Sequence, residues 1–260
     1  MNRFVYGALF VATALSTAGA QRSGPDFSWE GRIPRSRWLY VRNLNGAIRV
    51  EKASGDKAEV SAVKRVNRGN GDDVRIEVKT VGSDDILICA VWNETTTCDE
   101  DGYRTRGGSG WRRGNGVAVE FTVKLPEGVK LVGSSVNGSI RIDGATSEVN
   151  ASTVNGGITA NSSGGPVRAS TVNGGIEARM KDLGTEDLEF ETVNGSIEIE
   201  LPADLNAELD MRTVNGRVNS DFPLTISGRI NPRHLRATVG RGGRRLKFST
   251  VNGSIDLRKG

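Results

Sequence analysis

The strongest constraint on the fold of this chain is a short unit that recurs along its second half. In this unit an Asn-Gly pair follows Val and a Thr or Ser, and an Ile or Val stands three positions after the Asn. The six pairs are Asn137-Gly138, Asn155-Gly156, Asn173-Gly174, Asn194-Gly195, Asn215-Gly216 and Asn252-Gly253, with the asparagines 18, 18, 21, 21 and 37 residues apart. Such a period is typical of repeat folds. The last gap spans about two periods, and residues 237–240 resemble a degenerate copy inside it.

Apolar residues alternate with polar ones on both sides of each pair. Leu188 and Phe190 precede Asn194, for example, and Ile197 and Ile199 follow it. A period of two is typical of half-buried strands. Asn and Gly tolerate the positive φ of a tight turn. We therefore predict a strand, a corner and a second strand in every repeat, with Val and Ile columns in the core. Whether Thr or Val of each corner points inward stays open.

Two architectures satisfy this pattern, an antiparallel meander of hairpins and a parallel solenoid of stacked repeats. A two-residue hairpin would oppose Arg168 to Arg179, and like charges in direct opposition destabilise a sheet. Stacking by repeat instead places Arg179 beside Glu200 and Glu191 beside Arg212. We therefore predict an all-β fold, a single-stranded parallel β-helix or β-solenoid, with the asparagines in a ladder along one edge.

The N-terminal half differs in composition from the repeats. Residues 1–20 combine Arg3, an apolar stretch and small residues ending at Ala20, which predicts a signal peptide and an exported protein that is periplasmic, cell-surface or secreted. No later apolar run predicts a transmembrane segment in the mature chain. Residues 27–126 hold all four tryptophans, and we predict an irregular β head there, followed by the repeat solenoid at 127–260. Between strands of this head, residues 93–116 are expected to form a long loop.

Two cysteines, Cys89 and Cys98, lie nine positions apart in this predicted head. In an exported chain a disulfide between them is the expected state.

The repeat also resembles a known group of proteins. The reiterated Thr-Val-Asn-Gly-Gly/Ser-Ile units, the early Leu44-Asn45-Gly46-Ala47-Ile48 and the final Ser249-Thr250-Val251-Asn252-Gly253-Ser254-Ile255 are similar to the bacterial families known as putative adhesins, of unknown function, and to relatives of the head-GIN domain adhesins. The resemblance covers nearly all of the mature chain. It implies a single-stranded β-helix in the cell envelope. The Gly- and Arg-rich loop with its cysteine pair departs from the family pattern.

Residue types that carry catalysis are scarce. His234 is the only histidine, and neither a nucleophile elbow, a zinc-ligand spacing nor a phosphate loop occurs. Cys98-Asp99-Glu100-Asp101 offers carboxylates but lacks the pattern of a calcium loop. We predict no catalytic residue, no metal and no cofactor. The expected function is an adhesin-like binding or structural module of the envelope; the alternatives are a β-helical polysaccharide-acting enzyme and an envelope-stress sensing partner.

Two groups of residues are candidates for ligand contact. The first combines aromatic and arginine side chains, which carry much of the energy at interfaces: Trp92, Trp111, Arg112 and Arg113. The second is a basic cluster that would contact an anionic surface: Arg241, Arg244, Arg245 and Lys247. The expected partners are a glycan or other anionic envelope polymer, or an envelope protein, and not nucleic acid.

Overall fold

The computed structural model describes residues 25–105, 116–226, 231 and 233–260. These residues form β-strands joined by turns, together with one 3₁₀ turn at Gly71–Asp73. The strands in chain order are β1 (Phe27–Arg32), β2 (Trp38–Arg42), β3 (Ile48–Lys52), β4 (Lys57–Val66), β5 (Arg75–Val81), β6 (Asp85–Val91), β7 (Thr96–Asp99), β8 (Gly102–Thr105), β9 (Val117–Leu125), β10 (Lys130–Ser134), β11 (Ile140–Ala145), β12 (Val149–Ser152), β13 (Ile158–Ser162), β14 (Val167–Ser170), β15 (Ile176–Met180), β16 (Leu188–Glu191), β17 (Ile197–Leu201), β18 (Ala207–Asn215), β19 (Val218–Ser220), β20 (Thr225–Ile226), β21 (His234–Val239), β22 (Arg245–Asn252) and β23 (Ile255–Lys259). No helix in this described part of the chain has the length and hydrophobicity needed to cross a membrane.

Two long sheets contain all of these strands except a small hairpin. Sheet A has the order β1-β4-β9-β3-β11-β13-β15-β17-β23-β19, and sheet B has the order β20-β21-β18-β22-β16-β14-β12-β10-β2-β6-β5. The hairpin consists of β7 and β8. Each Asn-Gly corner leads from a strand of sheet B to the next strand, which lies in sheet A. Such a pair of strands forms one rung, and the rungs stack as in a solenoid. The predicted all-β solenoid is confirmed.

Equivalent residues of successive rungs lie directly beside one another. Ile158 pairs with Ile176, and Ile176 pairs with Ile197, on parallel strands of sheet A. The same register places Arg179 beside Glu200, with the guanidinium Nε 3.5 Å from a carboxylate oxygen. The meander, which would have opposed two arginines on antiparallel strands, is therefore excluded.

The core lies between the two sheets and runs along the stack. In sheet B the rings of Phe190 and Phe248 stack on neighbouring strands, with their centroids 5.5 Å apart. In sheet A the isoleucines that follow the corners form a buried column, namely Ile140, Ile158, Ile176, Ile197 and Ile255. Each fully buried side chain of this size stabilises the fold by about 1.5–3 kcal/mol, so apolar burial is the main source of cohesion between rungs.

The valine before each corner asparagine lies outside this core. The exposed valines are Val154 (39%), Val172 (39%), Val193 (40%), Val251 (40%) and Val214 (51%). The threonine beside each valine is buried instead; Thr171, for example, is 5% exposed. The expectation that the Val column belongs to the core is therefore wrong for the corner valines. Burial alternates without interruption from Val167 to Val172, so the threonine takes the inward position, where its hydroxyl bonds to a backbone carbonyl inside the bend.

The last two rungs do not follow the order of the chain. β22 lies between β16 and β18, and β23 lies between β17 and β19. This arrangement of the last rungs contradicts two expectations from the sequence. Glu191 lies beside Ser249 rather than Arg212. Residues 237–239 lie in β21, antiparallel to β18, and do not form a degenerate corner. The described residues between Asn215 and Asn252 thus add β20 and β21 to the edge of sheet B and do not form a complete additional rung.

Both sheets continue without a break into residues 27–126. β2 and β3 stack on β10 and β11, and Asn45 pairs with Asn137. β6 and β9 form the next rung, and β1, β4 and β5 extend the sheets in antiparallel fashion. The division at residue 126 stays a prediction, and one hydrophobic core includes residues on both sides of it.

In the rung of β6 and β9, the segment between the two strands replaces the Asn-Gly corner. The expected loop at 93–116 is not unstructured throughout, because its described part contains the β7–β8 hairpin.

Candidate functional site

The corner edge of the solenoid carries the predicted asparagine ladder. Five asparagines donate through Nδ2 to the Oδ1 of the asparagine in an adjacent rung. The pairs, donor first, are Asn155–Asn137 (2.8 Å), Asn173–Asn155 (2.9 Å), Asn194–Asn173 (2.8 Å), Asn252–Asn194 (2.7 Å) and Asn215–Asn252 (2.8 Å). At the other end Asn45 donates to the carbonyl oxygen of Val117 (2.9 Å). Because paired strands lie about 4.8 Å apart, the stacked amides bond in register and tie the rungs together.

Threonine and glycine complete each corner. The Thr or Ser hydroxyl donates to the carbonyl oxygen of a glycine in the adjacent rung: Ser135–Gly46 (3.0 Å), Thr153–Gly138 (2.9 Å), Thr171–Gly156 (2.9 Å), Thr192–Gly174 (2.8 Å), Thr250–Gly195 (2.9 Å) and Thr213–Gly253 (2.8 Å). A Cβ at Gly156 would lie 2.3 Å from the carbonyl oxygen of Gly138. Of these described corner glycines only Gly46 has a positive φ. The expectation that positive φ selects glycine is therefore wrong for the six repeats, where close approach of the rungs requires it.

A disulfide joins Cys89 to Cys98, as predicted. It attaches the β7–β8 hairpin to the outer face of sheet B, where a second apolar cluster contains Leu87, Val91 and both cysteines. Tyr103 packs against this cluster, and its hydroxyl donates to the carbonyl oxygen of Ala90 (2.7 Å). Burial raises the pKa of Tyr103 above its ordinary value. The hairpin therefore covers one end of this face.

Beside the hairpin, the outer face of sheet B carries two aromatic rings. Trp38 and Tyr40 alternate outward from β2, with ring centroids 6.1 Å apart. The Lys130 ammonium lies 5.1 Å from the Trp38 ring centroid, and the Arg42 guanidinium lies 6.0 Å from that of Tyr40. Arg42 donates to the hydroxyl of Ser134 (3.0 Å) and to the carbonyl oxygen of Glu100. We call these residues of β2 and β10 the aromatic end of the face.

A shallow groove of about 260 Å³ continues from the aromatic end across β10, β12, β14 and β16. Its lining includes Val132, Asn150, Ser152, Arg168, Ser170, Glu189 and Glu191. The Oδ1 of Asn150 is buried and accepts no hydrogen bond from the described residues. A buried polar atom without a partner is unfavourable, so this oxygen is an unsatisfied acceptor beneath the surface of the groove.

Ion pairs occupy much of the remaining face. Glu148 contacts Lys130 (3.1 Å) and Arg168. Lys247 contacts both Glu189 and Glu191, the latter at 2.7 Å. The hydrogen bond from Lys247 lowers the pKa of the Glu189 carboxyl. Lys247 therefore favours the charged form of Glu189.

Farther along the same face, Asp210 lies at the centre of a second cluster. Its carboxylate oxygens lie 2.9 Å from Arg212 Nε and 3.0 Å from His234 Nε2. Burial opposes ionisation of this carboxyl, but the bonds from Arg212 and His234 prevail and lower its pKa. Across the described residues, no group of three or more metal-binding side chains comes together.

The first predicted ligand-contact group is divided by the structure. Trp92 is half-buried against the core, and its indole nitrogen donates to the carbonyl oxygen of Val117 (3.2 Å). Trp111, Arg112 and Arg113 lie outside the described residues. Ligand contact by these four residues stays a prediction.

The basic cluster lies in β22, which holds Arg245 and Lys247, and in the turn before it, which holds Arg241 and Arg244. Lys247 forms the two ion pairs just described, and Arg244 donates to the carbonyl oxygen of Gly184. The side chains of Arg241 and Arg245 form no ion pair within the described part of the chain. Contact of the cluster with an anionic surface stays a prediction.

Sequence reasoning missed the aromatic end. The signal was present, because Trp38, Tyr40 and Arg42 stand at every second position of a predicted strand. They therefore share one face. Without knowledge of which face is covered, that pattern did not separate outward residues from core residues.

Comparison with known proteins places these features in a family. The model of the Toastrack DUF4097 family matches residues 32–258. A putative cell adhesion protein from Clostridium sporogenes has a TM-score of 0.48 with 10% identity, covering 90% of this chain and 100% of that one. A putative adhesin from Bacteroides fragilis has a TM-score of 0.27 with 12% identity, covering 90% of this chain and 96% of that one. No curated protein matches the chain significantly. Because the family model matches most of the sequence, the chain belongs to the Toastrack DUF4097 family.

Proposed function

We propose that this protein is a non-catalytic, adhesin-like binding module of the cell envelope that holds an anionic glycan along the outer face of sheet B. The observation that carries the proposal is the groove beside Asn150 and Arg168, which continues into the aromatic end at Trp38 and Tyr40. Concave sites with apolar walls and a few placed polar groups are typical of ligand binding.

The groove offers the contacts that a sugar chain uses. Aromatic rings provide flat apolar surface with a polar rim, which suits the apolar face of a pyranose. The hydroxyls of Ser152 and Ser170 in the groove would donate hydrogen bonds to sugar hydroxyls or accept hydrogen bonds from them.

The charge at the aromatic end favours an acidic ligand. Arg42 and Lys130 lie at the aromatic end and Arg168 lies in the groove, where Glu148 pairs with Lys130 and Arg168. Such cationic side chains attract carboxylate, phosphate or sulfate groups of a polymer. Arginine also binds such groups in bidentate fashion.

The same charges favour binding over catalysis. A glycoside hydrolase needs a carboxylic acid whose pKa is raised so that it can protonate the leaving group. Along this groove Lys247 lowers the pKa of Glu189, and Glu148 contacts Lys130 and Arg168. Glu189 therefore serves better as a fixed charge than as a proton donor.

The disulfide supports a location outside the reducing cytoplasm. The proposed export signal at residues 1–20 lies outside the described residues. Within this proposal the protein works in the periplasm, at the cell surface or in the medium.

Binding to purified polymers tests the proposal. We expect the mature chain to bind polygalacturonate, an acidic polysaccharide, more tightly than neutral dextran. Trp38→Ala and Arg168→Gln should each weaken this binding by about tenfold, the loss expected for a residue that carries about 1.4 kcal/mol of binding energy.

Arg179→Gln is the matched control, because Arg179 is an exposed, ion-paired arginine on the outer face of sheet A. It should bind polygalacturonate as tightly as the parent chain. Equal binding by all variants would contradict the proposed face. Release of shortened sugar products would contradict the non-catalytic function.

A further inference from the structure

The asparagine ladder ends at Asn215. Its Nδ2 donates to Asn252 Oδ1 (2.8 Å), and its carbonyl oxygen accepts from Gly253 N (3.1 Å). Among the described strands, β19 is the last of sheet A at this end. No described residue donates to Asn215 Oδ1 or accepts from the N–H of Gly216.

Every inner corner holds the equivalent glycine N–H in a hydrogen bond. Each of these N–H groups donates to the carbonyl oxygen of an asparagine in the adjacent rung: Gly46–Asn137 (2.7 Å), Gly138–Asn155 (3.0 Å), Gly156–Asn173 (3.0 Å), Gly174–Asn194 (2.9 Å), Gly195–Asn252 (3.0 Å) and Gly253–Asn215 (3.1 Å). Asn155, Asn173, Asn194 and Asn215 are all exposed, whereas Gly216 is exposed and the inner corner glycines are half-buried. The last corner therefore differs from the inner ones both in the hydrogen bonding and in the exposure of its glycine.

We infer that Asn215 is the site of spontaneous, backbone-mediated deamidation within the ladder, and that stacking protects the inner corner asparagines. In this reaction base removes the N–H proton of Gly216, and the amide nitrogen attacks Cγ of Asn215. The new N–Cγ bond forms as the Cγ–Nδ2 bond breaks, and ammonia leaves after taking up a proton from water. Water then opens the cyclic succinimide at one of its two carbonyl carbons. The product is aspartate or isoaspartate, so one water is consumed and one ammonia is released.

The following glycine makes this attack sterically accessible, because it carries no Cβ. In an inner corner the attacking nitrogen would first have to leave its acceptor, and Cγ would have to leave the ladder. At Asn173, for example, Nδ2 donates to Asn155 and Oδ1 accepts from Asn194. At Asn215 the Nδ2 bond to Asn252 is the only side-chain hydrogen bond to the described residues. Each extra bond that must open reduces the reactive population by about fivefold to tenfold.

Both products would alter the terminal rung. A carboxylate cannot donate to Asn252 Oδ1, so the last bond of the ladder is lost and a negative charge appears at its end. Isoaspartate also adds a methylene to the backbone, which would displace the carbonyl that accepts from Gly253 N. Modification would therefore loosen β18 and β19 before any inner rung.

Ageing of the folded chain in mildly alkaline buffer tests this inference. Isoaspartate and aspartate at each asparagine are quantified by peptide mapping with mass spectrometry. We expect Asn215 to react at least about tenfold faster than Asn45, Asn137, Asn155, Asn173, Asn194 or Asn252, since those corners need one or more additional hydrogen bonds to open. In urea-unfolded chain the six repeat asparagines should react at similar rates, because they share their local sequence.

Asn70 provides an internal reference, because it precedes Gly71 in an exposed turn outside the ladder. Its Oδ1 accepts from Asp72 N (3.1 Å), so its rate should rise by about fivefold to tenfold when the chain unfolds and that one bond opens. The variant Asn215→Ser should remove the fast ladder signal while leaving that of Asn70 intact. Equal rates along the folded ladder, or a faster inner asparagine, would overturn the inference.

Discussion

The side-chain hydroxyl of Thr171 lies 2.9 Å from the carbonyl oxygen of Gly156 in the adjacent rung. The hydroxyl supplies a donor at the corner, where the regular strand ladder is interrupted. A buried backbone acceptor without a partner is costly. The threonine of the repeat is thus explained by hydrogen bonding inside the bend rather than by strand propensity.

Thr171→Val should remove this bond while keeping the shape of the side chain. We expect the free energy of unfolding to fall by about 1–2 kcal/mol, because the Gly156 carbonyl loses its donor. Urea denaturation measures the change. Val172→Thr, at the exposed neighbouring position, should change stability by less than about 0.5 kcal/mol. Similar effects of the two variants would show that the buried bond does not matter.

Gly174→Ala should be more damaging. Its Cβ would lie 2.1 Å from the Gly156 carbonyl oxygen, so the rungs would have to move apart, at a cost of more than about 2 kcal/mol. Gly157→Ser is the control, because Ser occupies the equivalent place at Ser139 and Ser196. Thermal unfolding should separate the two variants clearly. A tolerated Gly174→Ala would contradict close approach as the reason for this glycine.

Much of the repeat architecture could be predicted from the sequence. The alternation around each corner, and the charge pair Arg179–Glu200, were enough to distinguish stacking from hairpins. The order of the rungs could not be predicted. Because the corners are nearly identical in sequence, Asn252 can pair with Asn194 as well as Asn215 can. The segment that contains β20 and β21 brings the chain back so that the rung of β22 and β23 lies inside the rung of β18 and β19.

The candidate site was less predictable, because it depends on which face is covered. Trp92 and Trp38 are both tryptophans of the predicted head. One packs against the core between the sheets, and the other lies on the outer face of sheet B. The covering hairpin follows from the disulfide, whose partners the sequence does identify. The position of the hairpin over Leu87 follows from tertiary packing.

Hydrogen exchange should reveal the inserted rung. Terminal segments usually exchange fastest, but β22 and β23 are enclosed by strands on both sides. We therefore expect peptides from 245–259 to exchange more slowly than those from 218–226, although they lie closer to the end of the chain. Faster exchange at 245–259 would contradict the rung order.

The disulfide should stabilise the hairpin locally. Replacing Cys89 and Cys98 together by serine should lower the free energy of unfolding by about 2–3 kcal/mol, the amount expected for closing so short a loop. It should also speed hydrogen exchange in residues 96–105 much more than in β14 or β15. Glu100→Gln, at an exposed position in the turn of the same hairpin, is the control and should leave exchange there nearly unchanged. Unaltered exchange in the serine variant would show that packing alone holds the hairpin.

The pH dependence of stability should depend in part on Asp210. Its side chain is only 15% exposed, yet contacts with Arg212 and His234 lower its pKa despite its burial. A carboxyl whose pKa is lower in the folded than in the unfolded state stabilises the fold above its unfolded value, about 3.9 for aspartate. This contribution is lost as the pH falls through the lower folded-state pKa.

Asp210→Asn should therefore be less stable than the parent chain at neutral pH, by about 1 kcal/mol. The difference should shrink as the medium is acidified, because protonation removes the same charge from the parent. Arg212→Gln tests whether the cation causes the pKa shift of Asp210. In this variant the further change Asp210→Asn should alter the free energy of unfolding with a smaller dependence on pH than it does in the parent chain. Urea denaturation across the acidic range measures both comparisons. A constant difference between Asp210→Asn and the parent at all pH values would show that the contacts of Asp210 do not depend on its charge.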